Sequence, residues 1–257
     1  MPEAAAVWRA LVLAGERAGG DPLAHVLGVK RKALIRLGDA TLVEHVVGAL
    51  RASGATEIAI NGLDAGDLAG LPSLAGVESL AAAASPAASV VAALERPDAV
   101  PLLVTTADHP LLLPATIASF RDAARASGAD VAVGVVDATV VRARFPETRR
   151  TYVRFRGRSL TGANLYAFSS PAAARVALAW CEIERDRKRP WRMVRRLGVA
   201  TLLRFLLGRL TPEDAVAQAS ARFGARIALV WLADATAAVD VDKLEDLELA
   251  REIVSRR

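Results

Sequence analysis

Short apolar runs alternate with amphipathic stretches along the first half of the chain. Residues 7–13 form an apolar run that ends in Ala14-Gly15, the pattern of a buried strand feeding a loop. Thr41 with Glu44 three positions later has capping-box spacing, and Leu42, Val43, Val46, Val47 and Leu50 make one apolar stripe. A helix is therefore expected from Thr41 until Ser53-Gly54 stops it. Residues 57–60 predict a second strand, 89–95 a helix, 100–105 a third strand, 114–127 a helix closed by Gly128, and 129–136 a fourth strand. Strands alternating with helices predict an α/β sheet with parallel strands, whose ligands sit at the carboxyl ends.

The pattern changes after Asp137. Residues 151–156 and 159–168 predict two strands joined at Gly157, followed by a helix over 172–184. A basic, apolar segment fills 188–210, and Thr211-Pro212 opens another helix with proline in its first turn. Residues 227–232 and 237–241 have strand character, and Asp242 is placed to cap a last helix over 244–253. There is no repeat and no linker, so one domain spanning 1–257 is expected, with 142–222 as an inserted region.

Hydrophobic content of 53% in 257 residues excludes disorder and suffices for a full core. No apolar run reaches the length of a membrane span, and the N-terminus lacks the positive start of a signal peptide. The single cysteine, Cys181, forms no internal disulfide, and a cytoplasmic protein is expected. Lys and Arg exceed Asp and Glu by 33 to 28, which suits an anionic partner. Aromatic content of 5% and the lack of a nucleic-acid motif argue against nucleic acid.

Three places carry candidate chemistry. After the first strand, Leu13-Ala14-Gly15 leads into a loop with Arg17, Gly19 and Gly20, then Lys30, Arg31 and Lys32. Glycines let backbone N–H groups approach phosphate oxygens, and cations neutralise them. The loop fits neither G-x-x-x-x-G-K-[ST] nor G-x-G-x-x-G, and a plain surface loop is the competing account. Second, "TTADHP" sets Asp108 at the end of a central strand, where a carboxylate can hold Mg²⁺ beside substrate phosphates. The same residues also suit a simple turn. Third, Asp240 and Asp242 flank Val241, so in an extended strand both would face one side and join Asp108.

Taken in order, L-A-G-x-R, K-A-L-x-x-L-G, T-L-V-E-H-V-V, T-x-A-D-H-P-L-L, G-A-N-L and D-V-D-x-x-E-D-L resemble the nucleotidyltransferases of the nucleotide-diphospho-sugar transferase fold. The likeness is to the molybdenum-cofactor guanylyltransferase-like branch and covers residues 10–251. It implies a three-layer, Rossmann-like sandwich around a mostly parallel mixed sheet, here with a helical, basic insert. It makes Leu13, Ala14, Gly15 and Arg17 the nucleoside triphosphate loop and Lys32 the lysine acting on the phosphates. Asp108 becomes the metal-binding aspartate, with Asp242 and Asp240 as further metal contacts. Gly162 and Asn164 would recognise the acceptor, in a region where Arg149, Arg150 and Arg154 suit a phosphate or carboxylate. Glu16 stands where the family loop usually has a second glycine, Arg31 where a proline usually precedes the lysine, and the segment 21–30 is long.

Ser89-Val90 with Ala93-Leu94 is similar to a segment of cytidylyltransferase relatives, which makes Ser89 a nucleotide contact and favours CTP over GTP. Ser89 also reads as an ordinary helix N-cap. The implied reaction is attack of an acceptor phosphate on the α-phosphorus of the triphosphate, with pyrophosphate leaving and Mg²⁺ as cofactor. Arg17, Lys32 and Asp108 would be its catalytic groups. The alternatives are a nucleotide-sugar-dependent glycosyltransferase of the same fold, or a non-catalytic membrane- or anion-binding protein. The segment 190–210, rich in Arg, Trp, Phe and Leu, fits a core helix with a basic face or a helix lying on a membrane surface.

Overall fold

The computed structural model describes residues 8–16, 19–148, 150–186 and 198–256. β1 (Arg9–Leu13) opens the fold, and α1 (Pro22–Val26) follows, capped by the Asp21 carboxylate. A 3-10 turn at Lys32–Leu34 and the small hairpin β2 (Arg36–Leu37) and β3 (Ala40–Thr41) lead to α2 (Leu42–Ala52). The expected capping box forms: Thr41 N–H donates to Glu44 at 2.7 Å, and Glu44 N–H to the Thr41 hydroxyl at 3.4 Å. Next come β4 (Glu57–Asn61), α3 (Ala65–Ala69), β5 (Glu78–Leu80), α4 (Pro86–Leu94), β6 (Leu102–Thr106) and α5 (Pro114–Ser127). After β7 (Val131–Asp137) and α6 (Ala138–Arg144) the chain forms β8 (Val153–Phe155), β9 (Arg158–Phe168) and α7 (Ala173–Asp186). α8 (Val199–Leu206), α9 (Pro212–Phe223), β10 (Ile227–Leu232) and α10 (Leu244–Ser255) complete it.

Among the described residues the main sheet has eight strands, ordered β10-β7-β9-β6-β1-β4-β5 with β8 paired to β9. β1 runs parallel to β4 and β6, β4 to β5, and β10 to β7. β9 runs antiparallel to both β6 and β7. The parallel strands therefore end on one rim, and β9 begins there, Leu160 lying opposite Asp137 at the end of β7. Between the pairs Val133–Tyr166 and Val135–Gly162, Ala163, Asn164 and Leu165 stand opposite Gly134 alone, a bulge in β9.

Side chains alternate across the sheet and feed two cores. From β1, Ala10 and Val12 join Val46, Leu50, Ile117 and Phe120 on the face covered by α2 and α5. Leu11 and Leu13 join Val90, Phe168 and Ala177 on the face covered by α4 and α7. The result is the helix–sheet–helix sandwich expected from the sequence.

Three local expectations change, and one of two open readings loses its support. α4 begins at Pro86 under a Ser85 cap, because Ser-Pro sets up a first turn; Ser89 lies inside the helix. Residues 237–241 form no strand: Ala235–Ala238 is a 3-10 turn started by Asp234, whose carboxylate accepts the Thr236 N–H. Asp242 does not cap α10; the Asp246 carboxylate instead reaches back to the N–H groups of Asp242 at 3.2 Å and Lys243 at 3.1 Å. The apolar stripe of α8 is not buried, since Val199, Leu203, Leu206 and Leu207 are all exposed. Among the described residues no helix is long and apolar enough to cross a membrane.

Candidate active site

The rim where the parallel strands end gathers most of the expected residues. Leu13 ends β1 opposite Asn61 and Thr106, and its carbonyl accepts the Ala107 N–H at 2.9 Å. The Ala14 N–H donates to the Asn61 carbonyl at 2.8 Å. Leu13 and Ala14 thus hold the start of the loop against its neighbours, and Gly15 is its first exposed residue. Gly62 packs directly against it. At φ 97°, a Cβ on Gly62 would lie 2.5 Å from the Gly15 Cα, so no side chain fits there. Arg17 and Arg149 lie outside the described residues.

Lys32 comes to the same rim through the 3-10 turn after the loop. Its backbone N–H donates to the Glu16 carboxylate at 2.5 Å, so the residue that departs from the family pattern ties the loop to the lysine. The neighbouring cations are used elsewhere. Lys30 pairs with Asp67 at 2.6 Å and Asp64 at 3.3 Å, and Arg31 lies 3.6 Å from Asp67. The Lys32 ammonium instead donates to Asp108 Oδ2 at 2.8 Å and to Asp242 Oδ1. Asp108 Oδ1 accepts the Thr106 hydroxyl at 2.5 Å, and the Asp108 carbonyl accepts the Val241 N–H at 2.9 Å. The loop carrying Asp242 is thereby fastened to the end of β6.

Burial works against the Lys32 charge, but Asp108 and Asp242 outweigh it and hold the ammonium above its ordinary range. Burial likewise works against the Asp108 carboxylate, while His109, Lys32 and the Thr106 hydroxyl together hold its pKa below the usual range. The Lys32 cation and the Asp108 anion are therefore both held in their charged forms at neutral pH.

Asp240 does not share this cluster. Without a strand at 237–241 its side chain is not aligned with that of Asp242, and Arg150 Nη1 meets it at 2.5 Å. Arg150 also reaches Asp246 at 3.3 Å and is nearly buried, with a side chain 7% exposed. It stands as a brace between the chain ahead of β8 and the start of α10. Among the described residues no three Asp, Glu, His or Cys side chains gather as a metal cluster.

Gly162 lies exposed near the start of β9 with open space around it. The bulge puts Asn164 at φ 45°, a left-handed conformation that Asn tolerates better than most residues. Its amide lies 2.9 Å from His109 Nε2, and Tyr166 O–H donates to Asn164 Oδ1 at 3.4 Å. This contact ties β9 to the residue after Asp108. His109 is buried, and its Nδ1 has no hydrogen-bond partner among the described residues. The Tyr166 hydroxyl is pushed up to about 12 by burial and Glu184. Ser89 is buried; its hydroxyl accepts the Ala83 N–H and donates to the Ser85 carbonyl, both at 3.2 Å, fixing the chain ahead of α4.

Sequence reasoning passed over Thr106, His109, Gly62 and Asp246. The Asn61-Gly62 pair at a strand end was a usable signal for a close backbone approach. His109 beside a proline carried none until β9 brought Asn164 to it.

A family model for the MobA-like NTP transferase domain matches residues 10–236, and the chain belongs to that family. Among solved structures it is similar to a hypothetical transferase from Thermus thermophilus, at 30% identity and a TM-score of 0.80, over 94% of this chain and 100% of that one. It is also similar to CMP:2-keto-3-deoxy-manno-octonic acid synthetase complexed with CTP, at 15% identity, TM-score 0.58, 97% of this chain and 98% of that one. A third likeness is to 2-C-methyl-D-erythritol 4-phosphate cytidylyltransferase, also from Thermus thermophilus, at 20% identity, TM-score 0.54, 96% of this chain and 98% of that one. The last two share the fold, which is that of the nucleotide-diphospho-sugar transferases. Comparison with curated proteins gives no match.

Proposed function

We propose that the protein transfers a nucleoside monophosphate from a nucleoside triphosphate to a phosphorylated acceptor and releases pyrophosphate. The observation that carries this is the meeting of Lys32, Asp108 and Asp242 at the rim where the β1 loop opens. Family membership supports the same reaction class. CTP is favoured over GTP on likeness to a synthetase bound to CTP; the Ser89 hydroxyl, engaged by Ala83 and Ser85, is not counted as a nucleotide contact.

The residues fit Mg²⁺. Asp108 and Asp242 already converge on one cation, the Lys32 ammonium, and two carboxylates are a donor set Mg²⁺ takes beside phosphate oxygens and water. Asp240, held by Arg150, stands outside that set. When bound, Mg²⁺ neutralises phosphate charge.

The chain's own groups divide the remaining work. The loop beginning at Gly15 offers backbone N–H groups to the triphosphate, with Arg17 as a further cation. An acceptor phosphate oxygen forms a bond to the α-phosphorus as the bond from that phosphorus to the bridging oxygen breaks, and pyrophosphate departs. Lys32 meets the negative charge that grows on the α-phosphoryl oxygens. Asn164, oriented by His109, and Gly162 face the acceptor. No protein nucleophile is needed, because positioning and charge neutralisation suffice for this chemistry.

The test is a panel of four nucleoside triphosphates with Mg²⁺ against phosphorylated sugars, polyols and lipid-phosphate head groups, read by pyrophosphate release. Release with CTP and one acceptor class, abolished in Asp108→Asn, is expected. A nucleotide-sugar-dependent transfer would release no pyrophosphate, and activity of that kind alone would refute the proposal.

A further inference from the structure

α8 is attached to the protein by the wrong side for a core helix. Its polar and aromatic positions make the contacts with the body. Thr201 donates to Gln218 of α9, Arg204 pairs with Asp214 at 2.5 Å, and Phe205 meets Phe155 of β8 edge-on at 5.8 Å. Just beyond the helix, the Leu210 carbonyl accepts the Arg156 N–H at 2.8 Å, and Leu210 itself is buried. The opposite side carries Val199, Leu203, Leu206 and Leu207, which are 61%, 52%, 69% and 65% exposed. At helical spacing these four form one stripe, the arrangement that normally faces a core. Here the stripe faces outward from a helix that is already anchored.

Charge says what would cover it. Residues 187–212 contain eight Arg and Lys and no Asp or Glu. Arg204 is paired, but Arg209 at the end of the helix is exposed. An apolar stripe in a segment of so basic a sequence, with Arg209 exposed at its end, matches a layer with anionic head groups over an apolar interior. It does not match a second copy of this chain, whose same face would bring like charges together.

Topology places this helix by the candidate site. α8 touches β8, and β8 turns through Gly157 into β9 on the rim where β6 delivers Asp108. We propose that α8 lays the protein on an anionic membrane surface, with its Val199–Leu203–Leu206–Leu207 stripe in the head-group region and the rim turned toward the bilayer. No nucleotide is needed for this contact, so it stands or falls separately from the transferase reading.

The test is flotation of the full-length protein with vesicles of phosphatidylcholine alone and of phosphatidylcholine with phosphatidylglycerol. Binding to the anionic vesicles at low salt, release at high salt and little binding to neutral vesicles are expected. Leu203→Glu with Leu207→Glu replaces two exposed side chains, should leave the thermal melt unchanged, and should cut binding by about tenfold or more. Absence of flotation with anionic vesicles at low salt would overturn the proposal. So would undiminished binding of the double variant, which would leave α8 no part in it. A solution dimer dispersed by the same substitutions, with no vesicle binding, would reassign the stripe to self-association.

Discussion

The Lys32 ammonium lies 2.8 Å from Asp108 Oδ2, joining the segment after the β1 loop to the end of β6 across the mouth of the site. The two residues are 76 positions apart, yet each is held independently: Lys32 by Glu16 through its backbone, Asp108 by Thr106 and by Val241. A cation fixed in this way is ready for charge that appears only in the transition state.

Lys32→Met should therefore lower kcat by about 10²–10³ while changing the Michaelis constant for the triphosphate far less. Steady-state pyrophosphate release measures both. A change confined to the Michaelis constant would make Lys32 a ground-state binding residue.

Asp108→Asn should remove the dependence of triphosphate binding on divalent cation. Calorimetry of CTP and GTP with Mg²⁺ and with EDTA checks this: the wild type should bind more tightly with Mg²⁺, and the variant equally in both. Equal affinity in the wild type would end the metal role assigned to Asp108.

The same two groups set a pH expectation. Asp108 titrates below its ordinary 3.8, so the stability it contributes is complete above about pH 4 and is lost as pH falls through the folded value. Lys32 titrates above its ordinary 10.5, so its contribution is complete below that value and is lost only as pH rises through the higher folded one. Thermal melts of wild type and Asp108→Asn should differ by a constant amount from about pH 5 to pH 9 and converge at lower pH. A difference that varies within the neutral range would contradict this account.

Gly62→Ala should destabilise by more than about 1 kcal/mol, because it adds a Cβ at a left-handed φ and against the Gly15 backbone. The melting temperature should fall by about 2–4 °C for each kcal/mol. Gly48→Ala is the contrast. Gly48 is exposed within α2, with nothing near its missing Cβ, and the change should stabilise by about 0.5–1 kcal/mol.

Arg150→Ala should act on folding first. It leaves Asp240 and Asp246 without their shared partner, and losing one member of a largely buried pair costs about 3 kcal/mol. A clear drop in melting temperature is expected. An unchanged melt with a raised Michaelis constant for the acceptor would instead make Arg150 an acceptor contact.

The parallel core was legible because its signals are local. The apolar run into Gly15, the Thr41–Glu44 box and the run into Asp108 each fix an element without help from distant residues. The C-terminal edge was harder. Ala237, Ala238 and Val239 look like a strand by apolarity, but the four small residues after Asp234 fold into a turn that the Asp234 carboxylate starts. The partition of acids followed from that turn: Asp242 goes to Lys32 and Asp240 to Arg150, a distinction absent from the sequence pattern D-V-D. The sequence also showed three consecutive cations at Lys30, Arg31 and Lys32. Only the position of α3, whose Asp67 takes the first two, singles out Lys32.

The bulge in β9 has a mechanical consequence. Ala163, Asn164 and Leu165 face one residue of β7, so β9 holds more chain than its ladder needs. Beyond the bulge, Tyr166, Ala167 and Phe168 stay registered with β6 and β7; before it, β9 continues into the β8 hairpin and the helix attached there. This is slack. Leu160, Thr161 and Gly162 are paired with β7 on the hairpin side of the bulge and Tyr166, Ala167 and Phe168 on the other, so the three residues between them are the part of β9 that can change length without breaking a pair. Amide hydrogens at 163–165 should accordingly exchange faster than those at 166–168 in the same strand.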